Sequence, residues 1–277
     1  MAAYRACLDE LPSPAETRDI ATTFGTVRVY RFDGAGGRPV VLLPGRHAST
    51  PMWGPNLAGL LAHRTVFTVD LLGEPGLSVQ RSPIGDADDQ AQWFGEMLDS
   101  LGVTRPHLMG VSFGGWTAAN HAVRRPGRVA SLTLLDPVLT FAPIPVRTML
   151  AVAPLGLPWV PEAVRRHVLR WIAGGAEVDD SVPVATLIAA GSRDFVLRLP
   201  PPARLTESQL RALDIPVLAV IAGRSVIHDG VRAAETARRL LARGQVELWP
   251  AASHAVNGEF PAEIAQVAGR FWTDTDG

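Results

Sequence analysis

The chain contains no lysine: its 26 basic residues are all arginine, set against 27 acidic ones, for a formal net charge of −1. The arginines are scattered singly or in pairs. The missing lysine therefore reads as the codon usage of a GC-rich, bacterial type of genome. No basic face invites nucleic acid or an anionic membrane. Cysteine is almost absent, with one at Cys7. A lone thiol closes no intramolecular disulfide, and in a polar N-terminal segment it reads as a bystander, so a reducing cytoplasm is the expected compartment. Long apolar runs are missing too. The most apolar window, "TMLAVAPLGLPWV" from Thr148 to Val160, is broken by Pro154 and Pro158 and is too short to span a bilayer. The start, "MAAYRACLDELPSP", mixes Arg5, Asp9 and Glu10 with prolines and has no apolar core of the signal-peptide kind. There is no H-E-x-x-H, no pair of cysteines, no G-x-G-x-x-G and no P-loop, so neither a metal nor a nucleotide cofactor is expected.

What is present is alternation. At 277 residues the chain is long enough for one large α/β domain carrying an insertion. Apolar, β-branched runs alternate with helical patterns, the signature of a largely parallel sheet covered on both faces. "ETRDIATTF" and "TVRVYRF" read as a hairpin turning at Gly25. "PVVLLPG", "TVFTVDL", "HLMGVS", "VASLTLLDP", "PVLAVIAG" and "VELWP" read as further strands, about eight in all. Helices are expected over about Pro51–Ala62, Asp86–Leu101, Gly114–Val123, Val231–Leu241 and Pro261–Phe271. Between Pro137 and Pro216 the alternation stops. Helical patterns such as "PEAVRRHVLRWIA" and "VPVATLIAAGSRDFVL" take over, too apolar to remain a solvated linker. Residues 138–209 are expected to form a helical insertion on a core made of residues 1–137 and 210–277.

Within "HLMGVSFGGW", Ser112 stands between an apolar strand and a helical pattern. Gly110 and Gly114 leave room for a tight turn that projects the hydroxyl above the sheet, and the helix N-terminus behind it favours developing negative charge. The plainer reading is a helix N-cap. A serine hydroxyl needs a base to attack at neutral pH. His254 in "LWPAASHAVNGEF" is the candidate, because it follows the last strand and so lies over the carboxyl end of the sheet, as Ser112 does. For His47, His63, His107, His121, His167 and His228 the role of a surface loop residue is the expected one.

Four motifs occur in order: "LLPGRHAS", "VDLLGEPGLS", "GVSFGG" and "SHAVNGEFPAEIAQVAGRFW". With this spacing, residues 17–272 resemble the α/β-hydrolase superfamily, and among its members the small bacterial carboxylesterases that bear a cap. The resemblance implies a mostly parallel eight-stranded sheet flanked by helices, with residues 138–209 as the cap. It implies a nucleophile at Ser112, a base at His254, and an oxyanion hole made by the backbone N–H groups of Phe113 and Arg46. Where the superfamily often has His-Gly at the oxyanion loop, this chain has Pro44 and Gly45, with His47 displaced; altered support of the loop is expected, with no lost step. The acid is the sharper departure. The pattern G-x-x-D/E after "PVLAVIAG" falls on Val226, which cannot orient an imidazole. Asp136, at the end of "SLTLLDP", is one alternative. Asp229 is another, although "HDGVRAAE" also reads as an N-cap, and a Ser112–His254 dyad is the third.

These readings imply a serine hydrolase that cleaves an ester, thioester or lactone through an acyl-enzyme. The alternative is a non-hydrolytic enzyme on the same fold, such as a cyclase, acyltransferase or lyase, that has shed the usual acid. The expected partner is a small hydrophobic substrate, bound by His47, Phe141, Met149, Trp159 and Trp171; packing of the cap onto the core would use the same aromatic residues.

Overall fold

In the computed structural model, which describes residues 1–153, 160–174 and 183–277, the apolar runs join into one sheet. β1 (Glu16–Thr22) and β2 (Gly25–Phe32) form the antiparallel hairpin. β3 (Val40–Leu43), β4 (Val66–Val69), β6 (His107–Val111), β7 (Ser131–Leu135), β8 (Val217–Ala222) and β9 (Gly244–Trp249) follow in parallel. The order across the sheet is β1-β2-β4-β3-β6-β7-β8-β9. The two-residue β5 (Val79–Gln80), which has no pattern to announce it, pairs with β2 outside this path.

Strand periodicity explains the two cores. Val41, Leu43, Leu108, Leu132, Leu134, Ala219 and Ile221 face one side of the sheet. There they meet α3 (Ala87–Leu101), α4 (Phe113–Arg124) and α9 (Gly230–Leu240). Their neighbours Val40, Leu42, Met109, Leu135, Leu218 and Val220 face the other side, against α2 (Gly54–Leu61) and α11 (Pro261–Asp276). Side chains in a strand alternate between faces, so runs buried on both sides carry apolar residues at consecutive positions, as β3 and β8 do throughout. Trp272 of α11 is fully buried and its indole N–H donates to Thr133 Oγ1 at 3.1 Å, which satisfies the one polar atom it carries into the core.

The topology places the site. From β3 the chain crosses to β4 on one side, whereas β6 joins β3 on the other, so the loops after β3 and β6 diverge and leave a crevice above the carboxyl ends.

Beyond β7 the chain leaves the sheet. The described residues of this stretch form α5 (Val146–Val152), α6 (Glu162–Ile172) and α7 (Pro183–Asp194), and no strand. The return runs through Pro200–Pro202 to α8 (Glu207–Arg211), opened by a capping box between Thr206 and Gln209. Glu207 pairs with Arg239 of α9 at 2.7 Å, so α8, within which residue 209 falls, is tied to the sheet. One helix escaped the sequence reading. Residues expected to be a polar segment form α1 (Ala2–Asp9), which turns Tyr4 and Cys7 inward. Two apolar positions one turn apart are too short a pattern to identify an amphipathic helix. They pack against Leu187 of α7, and burial pushes the Cys7 thiol up, away from reactivity. No helix of the described residues is long and apolar enough to cross a membrane.

Candidate active site

Ser112 sits at the junction of β6 and α4 with φ 52° and ψ −115°. This conformation is costly for a residue with a side chain, and the surroundings impose it. Ser112 N–H donates to Leu135 O at 3.0 Å, and its own carbonyl accepts from Trp116 N at 3.0 Å and Val138 N at 3.2 Å. The two glycines allow the turn. A Cβ on Gly114 would collide with the Leu43 carbonyl oxygen, and one on Gly110 would collide with the backbone of Gly114. No side-chain cap bond is made by Ser112. Its hydroxyl lies instead 2.9 Å from His254 Nε2.

The acid follows from sheet register. Val111 of β6 is paired with Leu135 of β7, so Ser112 and Asp136 leave the ends of adjacent strands side by side. His254, in the loop after β9, reaches over β8, and its Nδ1 lies 2.7 Å from Asp136 Oδ2. A carboxylate only accepts, so Nδ1 carries the proton and Nε2 is left free to accept from Ser112. Asp136 is fully buried. Besides His254 it accepts from Ala222 N at 3.0 Å, Ser225 Oγ at 2.7 Å and His228 Nε2 at 2.8 Å. Burial pushes its carboxyl up, but the two imidazoles, His228 first, more than offset this and hold it well below the usual carboxylate range. Asp229 is occupied elsewhere: its side chain accepts from Arg232 N at 3.1 Å and caps α9. Of the candidate acids, the structure brings only Asp136 to His254.

Phe113 follows Ser112 directly and Arg46 follows Gly45, where an added Cβ would lie 3.6 Å from Ser112 Cβ; among the described residues neither backbone N–H donates to an acceptor. The Arg46 guanidinium lies over the Phe113 ring, 4.5 Å from its centroid. Glu74 in "VDLLGEPGLS" reaches the loop that carries the displaced histidine. Its Oε2 accepts from His47 N at 2.9 Å, and its Oε1 lies 3.4 Å from Arg46 Nε. Burial raises Glu74 to about 7, against the opposing pull of the Arg46 charge and the His47 amide. The sequence offered no signal for Glu74, because its task is set by where the β4 loop passes the β3 loop.

The expected substrate residues are redistributed. Phe141 is sealed into the core on the α3 and α4 side, because Leu205 N donates to Leu139 O at 3.1 Å and holds this segment against the returning chain. Met149 is 55% exposed. Thr148 is the one buried residue of α5, donating to the Val226 carbonyl, which turns its neighbour outward. Trp159 lies outside the described residues. Trp171 is half-buried at the end of α6, two residues before Ala173, whose carbonyl accepts from Ser253 Oγ at 3.0 Å. His47 has a left-handed backbone at φ 60°. Burial first, then the charges of Arg46 and Arg165, lower its imidazole to about 4. A cavity of about 150 Å³ is walled by Phe113 and Trp116, the start of α3 and Pro200–Ala203. Three histidines expected on surface loops are buried instead: His107 bonds Ser131 in β7, His121 lies in α4 against α3, and His228 stands on Asp136, contacts set by neighbours distant in the chain. Among the described residues, no group of three or more His, Cys, Asp or Glu stands close enough to hold a metal ion.

Comparison with known proteins gives the family. The chain is 27% identical over 280 residues to the uncharacterized carboxylesterase nap of Bacillus subtilis (strain 168), covering 99% of this chain and 92% of that one. It is 26% identical to carboxylesterase YbfK of the same organism, covering 95% and 90%. The crystal structure of a naproxen esterase from Bacillus subtilis superposes with a TM-score of 0.88 at 26% identity, over 98% of this chain and 96% of that one. Residues 40–267 match the model of the alpha/beta hydrolase family, and the chain belongs to that family.

Proposed function

We propose that the protein is a carboxylic ester hydrolase that works through an acyl-enzyme on Ser112, with His254 as base, Asp136 as acid, and the Arg46 and Phe113 amides as oxyanion hole. One observation carries the reading: the unbroken path Ser112 Oγ, His254, Asp136, at 2.9 Å and 2.7 Å, beside two amides without acceptors. The carboxylesterase relatives, similar over nearly the whole chain, support the same choice.

The steps follow from the roles. Ser112 Oγ attacks the ester carbonyl while its proton passes to His254 Nε2. Asp136 holds the imidazole through Nδ1–H and balances the positive charge that forms on it. The carbonyl oxygen becomes an oxyanion facing the two amides, which donate without rearrangement. His254 then returns the proton to the departing alcohol. Water, deprotonated by the same nitrogen, attacks the acyl-enzyme and releases the carboxylic acid. The contact between Asp136 and His254 supports hydrolysis over a non-hydrolytic role built on a lost acid.

Residues 138–209 act as a cap over this site, and the substrate is hydrophobic. Trp171, half-buried two residues before the Ala173 carbonyl that accepts from Ser253 Oγ, supports the apolar character. Hydrolysis of p-nitrophenyl esters of graded chain length, together with labelling by a fluorophosphonate, tests the proposal. Turnover of short or medium esters and loss of both signals in Ser112→Ala are expected. Wild-type turnover in Ser112→Ala would overturn it.

A further inference from the structure

The loop between β8 and α9, "GRSVIHDG", lacks the acid at the position where the family pattern would carry it, yet it is not idle. It delivers two side chains to the acid that stands on β7 instead: Ser225 Oγ to Oδ2 at 2.7 Å and His228 Nε2 to Oδ1 at 2.8 Å. With Ala222 N and His254 Nδ1, these occupy all four acceptor sites of the Asp136 carboxylate. We propose that His228 is a positioning residue for the hydrolytic reaction, a neutral Nε2–H donor that fixes the Asp136 carboxylate so that Oδ2 stays aimed at His254. The inference rests on the reading of Ser112, His254 and Asp136 as the catalytic group.

The geometry defines which nitrogen of His228 donates. Its Nε2 faces a carboxylate and must donate. Its Nδ1 is buried and has no hydrogen-bond partner among the described residues. Protonating Nδ1 would bury an N–H with no acceptor, whereas the neutral tautomer leaves there only an unused lone pair. Neutrality also serves the chemistry. A cation on Oδ1 would compete with the His254 imidazolium for the charge of Asp136 as that imidazolium forms, whereas a neutral donor orients the carboxylate and leaves most of its charge to His254. Among the described residues, Asp136 accepts from His228, and His254 bonds the other oxygen of the same carboxylate. Asp229, next in the chain, is spent on Arg232 N, and Arg224 is spent on the carbonyls of Gly174 and Ala251. The overlying α5 presents Thr148 to this loop, and its Arg147 is exposed.

Steady-state ester hydrolysis by His228→Leu and His228→Gln, each across pH, tests the proposal. Gln sets an amide N–H where Nε2 stands and does not titrate. His228→Leu should lower kcat about tenfold, the scale seen when an outer partner of a working residue is lost, with KM nearly unchanged. The acid limb of its kcat/KM profile should move up by about half a unit, because a carboxylate with one donor fewer holds the imidazolium more tightly. His228→Gln should restore both kcat and the limb. If the leucine variant does not fold, His228→Asn, whose amide falls short of Oδ1, takes its place. Unchanged kcat and limb in the donor-less variant would overturn the proposal. So would failure of Gln to restore them, and a limb displaced equally in Gln and Leu would mean that a charge had been removed. Ser112→Ala in the same assay keeps the two readings apart: if it turns over, the catalytic assignment has failed, whatever His228 does.

Discussion

Replacing Asp136 by Asn has an outcome that the hydrogen bonds dictate in detail. The amide offers one acceptor oxygen and one donor nitrogen where the carboxylate offered two acceptors. Oδ1 receives the backbone N–H of Ala222 at 3.0 Å, which cannot turn away, as well as His228 Nε2, so the amide oxygen must take the Oδ1 place. The NH₂ then faces Ser225 and His254. The serine hydroxyl can rotate and accept. The imidazole can accept only by moving its proton from Nδ1 to Nε2, the atom that must take the proton of Ser112. The base is lost through the wrong tautomer although every heavy atom stays in place. Inverting the tautomer in this way costs about 10⁴ in kcat in serine proteases, about 5 kcal/mol of transition-state stabilisation. Initial rates with a p-nitrophenyl ester, read beside circular dichroism of each variant, are the assay. Asp136→Asn should lose at least about a hundredfold in kcat with a native spectrum. Asp229→Ala should lose about 1 kcal/mol of stability as a missing helix cap and keep its turnover. Near-normal kcat in a folded Asp136→Asn would refute the reasoning, and a collapse confined to the Asp229 variant would move the acid.

Glu74, raised to about 7 from its ordinary 4.5, gives a pH signature. The unfolded chain releases this proton first, so the contribution of Glu74 to stability is present below about pH 4.5 and is lost as pH rises to about 7, on the order of 3 kcal/mol in total. Glu74→Gln should remove that slope, and urea unfolding curves of variant and wild type that run parallel across the window would show the assignment wrong. Trp171→Ala should shift the preferred ester chain length by more than it lowers Tm; equal loss on all esters with a lowered Tm would make Trp171 a packing residue.

The parts of the molecule visible from sequence are those set by local pattern. β8 is apolar at every position because both faces are covered, β6 and β7 admit only His107, Ser131 and Thr133 as polar members, and the turn at Ser112 is marked by glycines whose Cβ atoms would strike backbone. The two places for the acid were both legible, and register separated them: Leu135 beside Val111 brings Asp136 next to Ser112, which no single stretch of residues encodes. The rest depended on neighbours distant in the chain. Glu74 acts on a loop 27 residues away, and His228 on a carboxylate 92 residues away, so neither carries a local mark. Met149 and Phe141 were placed by their apolar character alone. The backbone bond from Leu205 to Leu139 and the bond from Thr148 to Val226 decided where they point.

The central claim is that Ser112 carries the acyl group. Intact-mass and peptide mass spectrometry of enzyme mixed rapidly with a p-nitrophenyl ester and quenched in acid measures it directly. The account predicts one acyl group per chain, on the peptide that contains Ser112, appearing with a burst of p-nitrophenol and absent from Ser112→Ala. Steady turnover with no acylated peptide, or acyl transfer to another residue, would contradict it.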